Sequence, residues 1–194
     1  YPVLLMETVT STVLTSSSNP SCFGSAVALT ATVMPNTVTG TIEYFDGVVS
    51  LGTAILSSGV AILNTSSLAV GSHSLTAVYS GDVDYFPSTS IVFSQVVNPA
   101  IPATPGSITG VTPVCPNATG LAFSIGSVIN ATSYTWVLPA GWVVNSGAGT
   151  TSITATSGIA GGNVTVAAVN NCGSSAASRI VNIKPLNATD QTGF

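Results

Sequence analysis

From Val27 through Leu29 and Ala31 to Val33, apolar side chains recur at every second position, with Ala28, Thr30 and Thr32 between them. Side chains of an extended strand point alternately to opposite faces, so this pattern fits a strand buried on one face and wet on the other. The same period returns in Ile42 and Tyr44, in Val60 and Ile62, and in His73, Leu75, Ala77 and Tyr79. Turn signals interrupt it about every ten residues: Asn19-Pro20, Pro35-Asn36, Asp46-Gly47, Ser58-Gly59, Gly71-Ser72 and Gly81-Asp82. No window carries the 3.6-residue period of an amphipathic helix. Short alternating strands at this spacing predict an antiparallel β-sandwich.

The pattern restarts downstream with Leu121, Phe123 and Ile125, then Tyr134, Trp136 and Leu138, then Ile153 and Ala155. The run Val164, Val166, Ala168, Asn170, Cys172 reads as one phase, and a last strand is expected over 178–183. Between the two patterned halves, residues 99–106 carry Pro99, Pro102 and Pro105 and no periodicity, which predicts an extended connector. The expected organisation is an all-β chain of two tandem sandwiches: 1–98, a proline-rich linker at 99–106, and 107–194. Each half has roughly 90 residues, a common size for a sandwich with its own core.

Charge narrows the function classes. Arg179 and Lys184 are the only basic residues against six acidic ones, a net charge of −4, and charged residues make up 4% of the chain. Two cations cannot neutralise the row of phosphates that nucleic-acid binding requires, nor grip an anionic membrane surface. No apolar run reaches the length of a spanning helix, because serine and threonine interrupt it. Five Asn-X-Ser/Thr sites (Asn64, Asn117, Asn130, Asn163 and Asn187) and the scarcity of lysine fit an extracellular surface. The first residue is Tyr1, and no signal peptide is visible, so a processed or partial chain is expected.

The first half carries a series of motifs in order: Gly40-Thr-Ile-Glu-Tyr-Phe-Asp-Gly47, Leu51-Gly-Thr-Ala54, Leu68-Ala-Val-Gly-Ser-His-Ser-Leu75 and Ala77-Val-Tyr-Ser-Gly-Asp82. Over about residues 7–98 it resembles a bacterial Ig-like repeat domain, with Asn19-Pro-Ser-Cys-Phe-Gly24 as a departure at the first motif. The second half, at about 105–185, contains Pro105-Gly-Ser-Ile-Thr-Gly110, Val114-Cys-Pro116, Ala131-Thr-Ser-Tyr-Thr-Trp-Val-Leu-Pro139 and Asn170-Asn-Cys-Gly173. It resembles the PKD-like domains of large surface adhesins from Bacteroidetes-type bacteria. The resemblance implies an exported adhesin, stalk or filament built from repeats, with no active site and no cofactor. It further implies that Cys115 pairs with Cys172, closing a loop whose chain-entropy contribution would be about 4 kcal/mol. Two buried free thiols are the alternative. Cys22 is then left over, either a small apolar side chain in a turn or half of an intermolecular bridge.

The remaining candidates each have a structural reading beside the functional one. His73, the sole histidine, sits where Ig-type sandwiches place a corner ring that hydrogen-bonds backbone just upstream. A nucleophilic triad would need a partner serine on an elbow, and no Gly-X-Ser-X-Gly occurs. Asp82 and Asp84 are the only close carboxylate pair, a weak candidate for a calcium ion or, more simply, turn caps. Glu43 and Asp46 read as strand and turn residues, and Asp190 is the second half's only acid, so facing glycosidase carboxylates are not provided there. An isopeptide bond from Lys184 lacks a suitable acid. Trp136 alternates with Tyr134 and Leu138 into the core, which leaves Trp142 as the candidate for an exposed, sugar-stacking aromatic.

The apolar segment Val3, Leu4, Leu5, Met6 is a candidate for strand donation to a sheet edge. The expected function is therefore a non-catalytic extracellular stalk or filament segment of an adhesin. Expected partners are copies of itself or neighbouring repeats, with surface glycans as a further candidate. The alternative is a carbohydrate-binding or spacer module of a secreted polysaccharide-active enzyme.

Overall fold

The computed structural model describes residues 7–111, 113–176 and 178–183. The chain forms two compact units, divided after Pro99. The expected connector is thus split, since Ala100 onward belongs with the second unit and both Pro102 and Pro105 are buried.

The first unit contains β1 (Ser11–Ser16), β2 (Ser21–Cys22), β3 (Val27–Met34), β4 (Thr41–Asp46), β5 (Val49–Ile55), β6 (Val60–Thr65), β7 (Gly71–Tyr79), β8 (Ser88–Thr89) and β9 (Phe93–Asn98). One sheet has the order β1-β3-β6, the other β2-β9-β7-β4-β5 with β8 also on β7. All pairs are antiparallel except β2 with β9, which run parallel. The predicted faces of β3, β4 and β7 are the buried ones: Val27, Leu29, Ala31, Val33, Ile42, Tyr44, Leu75, Ala77 and Tyr79 pack into one core with Leu14, Ala61 and Val97.

In β6 the phase is the reverse of the expected one. Ala61 is buried while Ile62 is 53% exposed. Directly opposed residues of an antiparallel pair share a face, and Ala61 stands opposite inward Ala31 while Ile62 stands opposite outward Thr30. Partner register, not side-chain size, decides which residue goes inside. Between β1 and β2 the chain changes sheets, and the Asn19 side chain covers the exposed edge of β9. Its Nδ2 donates to the Ser94 carbonyl at 2.7 Å, and the Val96 N–H donates to its Oδ1 at 2.9 Å. Beside it, fully buried Gln95 donates from Nε2 to the Ser18 carbonyl and to Ser21 Oγ.

The second unit contains β10 (Thr109–Gly110), β11 (Leu121–Ser124), β12 (Ser133–Val137), β13 (Val143–Ser146), β14 (Ser152–Thr156), β15 (Gly162–Asn170), β16 (Gly173–Ser174) and β17 (Ser178–Ile183). One sheet runs β10-β11-β14-β13, the other β12-β15-β16 with β17 also on β15. Leu121, Phe123, Ile153, Ala155, Val164 and Val166 form the core, with Tyr134, Trp136 and Leu138 packed against it. Gly110 lies opposite Phe123, whose ring fills the space a Cβ there would need. The period predicted for Val164 to Cys172 stops short: β15 ends at Asn170, and Cys172 lies in the turn that leads into β16.

Candidate functional site

The cysteines arrange themselves differently from the expected pairing. Cys22 and Cys172 each take part in a disulfide, and Cys115 is an exposed free thiol. Two local causes overturn the Cys115–Cys172 bridge. Val114 is 2% exposed and points inward, while Cys115 after it is exposed and opens the turn in which its carbonyl accepts the Ala118 N–H. Cys172 sits in a turn, where strand alternation no longer aims it at the core. What the Val114-Cys115-Pro116 segment contributes is backbone: the Cys115 carbonyl accepts from Ser157 Oγ at 2.8 Å, and Ser157 Oγ in turn accepts from the Ala118 N–H.

His73 is held at both ring nitrogens. Nε2 lies 2.8 Å from the Ala69 carbonyl, four residues upstream, and Nδ1 lies 2.6 Å from Asp46 Oδ2. A carbonyl and a carboxylate only accept, so both nitrogens donate and the arrangement favours the imidazolium. The ring's pKa is accordingly raised above 6.5. The Ala69 hydrogen bond raises it most, burial works against it, and Asp46 raises it further by hydrogen bond and charge. Asp46 Oδ1 also accepts the Ser74 N–H. Neither ring nitrogen is left to act on a substrate.

The Asp82–Asp84 turn is likewise closed on itself. Asp82 Oδ2 accepts from the Thr39 N–H at 2.9 Å and from Thr39 Oγ1 at 2.7 Å, while Oδ1 accepts from the Asp84 N–H at 2.9 Å. Donation from the Asp84 and Thr39 backbone lowers the Asp82 pKa to about 2. Gly81 has φ +81°, and a Cβ there would lie 2.8 Å from the Tyr85 carbonyl, so this turn requires glycine. Among the described residues, no group of three or more His, Cys, Asp or Glu side chains is placed to hold a metal ion.

Trp142 departs from its reading as an exposed aromatic. It is 8% exposed, packs on Phe123 with ring centroids 6.3 Å apart, and donates from Nε1 to the Ala160 carbonyl. The turn 139–142 explains this, because the Trp142 N–H bonds back to the Pro139 carbonyl and folds the ring over the core. Trp136 packs against the same core and donates to the Thr150 carbonyl. Glu43 accepts from Ser50 Oγ across the β4–β5 pair. Asn64, Asn117, Asn130 and Asn163 are exposed. Val3, Leu4, Leu5, Met6, Lys184, Asn187 and Asp190 lie outside the described residues.

Sequence reasoning missed Asn170. Its Nδ2 donates to the Ala100 and Asn130 carbonyls, and its Oδ1 accepts the Cys172 N–H at 2.8 Å. An asparagine at the end of a strand just before a turn was the available signal.

Two Ig-type sandwiches whose candidate polar and aromatic side chains hold turns and cores together define a structural module of extracellular type. The family models make this specific: residues 14–98 are a bacterial Ig-like domain (group 3), and residues 101–183 are a PKD-like domain. Both are families of generally non-catalytic modules. No curated protein matches the chain in sequence. Among solved structures, it is similar to a chain of the mouse coronavirus receptor-binding domain complexed with its murine receptor, at TM-score 0.58 and 9% identity. That match covers 90% of this chain and 100% of that one. Murine CEACAM1b matches at TM-score 0.52 and 11% identity, over 90% and 100%. Titin domains A168–A170 match at 0.50 and 12%, over 86% of this chain and 61% of that one. At these identities the likeness is one of fold.

Proposed function

We propose that this chain is a non-catalytic segment of a cell-surface adhesin stalk or filament, joined in series to copies of itself or to neighbouring repeats. The observation that carries the reading is that His73, Asp82 and Trp142, the residues best suited to chemistry or recognition, are each bound into their own domain by hydrogen bonds. Such a chain works by transmitting position and load. Each sandwich supplies a closed core, and the threonine and serine faces of the strands meet water without charge. Contact with surface glycans, if it occurs in the assembled protein, falls to parts other than these three residues.

The alternative, a sugar-binding module of a secreted polysaccharide-active enzyme, loses its main support with Trp142 buried. Force spectroscopy on the reduced chain tethered at both ends, paired with a polysaccharide panel, tests the choice. Two discrete unfolding events with neither saturable glycan binding nor cleavage are expected. Saturable binding would move the chain to the alternative, and cleavage would overturn the non-catalytic reading.

A further inference from the structure

Strand register decides which side chains share the outer face of the β1-β3-β6 sheet. Val13 stands opposite Thr32, and Thr32 opposite Val60. In the next row Thr15 stands opposite Thr30, and Thr30 opposite Ile62. Directly opposed residues project from the same side of a sheet, and these rows alternate with core-facing Leu14, Ala31 and Ala61. Val13 and Ile62 are each more than half exposed, as is Met34 at the margin of the face. No residue of the three strands is charged.

Charge lies elsewhere in this domain, and it has one sign. The domain has no Lys or Arg, yet it holds Glu7, Glu43, Asp46, Asp82 and Asp84. Glu43 alternates with buried Ile42 and Tyr44, so it points outward from β4 of the other sheet. Asp82 and Asp84 sit in the turn after β7, and Glu7 precedes β1. Two copies of such a domain repel each other, and least across a face that its acids leave clear. A cationic partner is drawn to the acids, not to this face. An uncharged face of apolar and hydroxyl side chains matches itself, and its β-branched residues have little rotamer freedom to lose.

We propose that this face is an interaction surface whose occupant is the same face of a second copy, met about a two-fold axis. Three strands spaced about 4.8 Å apart, with about six residues each rising about 3.3 Å, give a face of about 300 Å². A standard interface buries about 800 Å² on each partner, so one such contact is weak. It gains strength where several copies are displayed together. The pairing does not depend on the adhesin reading.

A dilution series of the intact chain, followed in 15N–1H correlation spectra from millimolar to micromolar protein, tests the proposal. Amides of β1, β3 and β6 should shift together with concentration, and more strongly in molar salt, which screens the acids. Spectra independent of concentration, or shifts confined to other strands, overturn it. Thr30 lies on the middle strand of the face. T30K and T30E should each lose the concentration dependence, and an equimolar mixture of the two should regain it, because unlike charges then meet. A mixture that stays monomeric overturns the proposal, and retained dispersion in the same spectra shows that both variants are folded. T53K, on exposed Thr53 of β5 in the other sheet, should associate as the wild type does, and loss of association there would place the contact elsewhere.

Discussion

Tyr44 donates its hydroxyl proton to the Ala61 carbonyl at 2.8 Å, which ties the two sheets of the first domain together through the middle of the core. Both residues are buried, Tyr44 fully. Burial pushes the phenol pKa up, so the donor stays protonated throughout the physiological range. Replacing Tyr44 with Phe keeps the ring and removes the donor. A loss of about 1–2 kcal/mol is expected in chemical denaturation, with little change in the denaturant slope. An unchanged midpoint would mean the bond is offset by the lost desolvation.

His73 is the only histidine, so its ring signal in a proton NMR titration needs no assignment. It should titrate above the ordinary value of 6.5. The sign follows from linkage: protonation is favoured in the folded state, so this stabilisation is complete below pH 6.5 and lost as pH rises through the folded pKa. H73Q should flatten that part of the stability profile. A ring titrating at or below 6.5 would contradict the paired arrangement with Ala69 and Asp46.

Asp82 carries the opposite pH dependence. With its pKa lowered to about 2, its contribution is present above 3.8 and falls away as pH drops through about 2. Wild type and D82N should therefore differ in stability at neutral pH and converge toward pH 2. Because both carboxylate oxygens already accept hydrogen bonds, Tm in calcium chloride should equal Tm in chelator. A rise with calcium would show that the ion can displace Thr39 and the Asp84 N–H.

Trp142 caps the core of the second domain over Phe123. W142A should cost about 3–5 kcal/mol, the usual range for emptying a buried aromatic site. A solvent-exposed ring would cost almost nothing, so thermal unfolding separates the two situations. The indole fluorescence of Trp142 should also be less accessible to iodide than a surface tryptophan's.

Much of the architecture was legible because alternation is a direct record of burial. Val27 to Val33, and Leu75 to Tyr79, bury the faces their spacing predicts. The reading failed where a neighbour or a turn overrides that record. In β6 the choice between Ala61 and Ile62 belongs to the register with β3, which depends on hydrogen bonding between strands far apart in sequence. Cys172 lies just past the end of β15, so its apparent phase with Val164 and Val166 carried no information about direction. Trp142 looked exposed because it follows a Pro-Ala-Gly turn, yet that turn is what folds the ring inward. Asn170 was silent because its three partners come together only after the chain has folded.

The parallel pairing of β2 with β9 has a mechanical meaning. β2 belongs to the beginning of the first domain and β9 to its end, and both point the same way. Tension applied between the ends of that domain slides these strands past each other along their length. The cross-strand bonds at Ser21, Cys22 and Phe23, with the Asn19 and Gln95 side chains beside them, are then strained together in shear and not peeled open one at a time. A patch only a few residues long can therefore resist pulling far better than its size suggests, provided the load arrives along the strands.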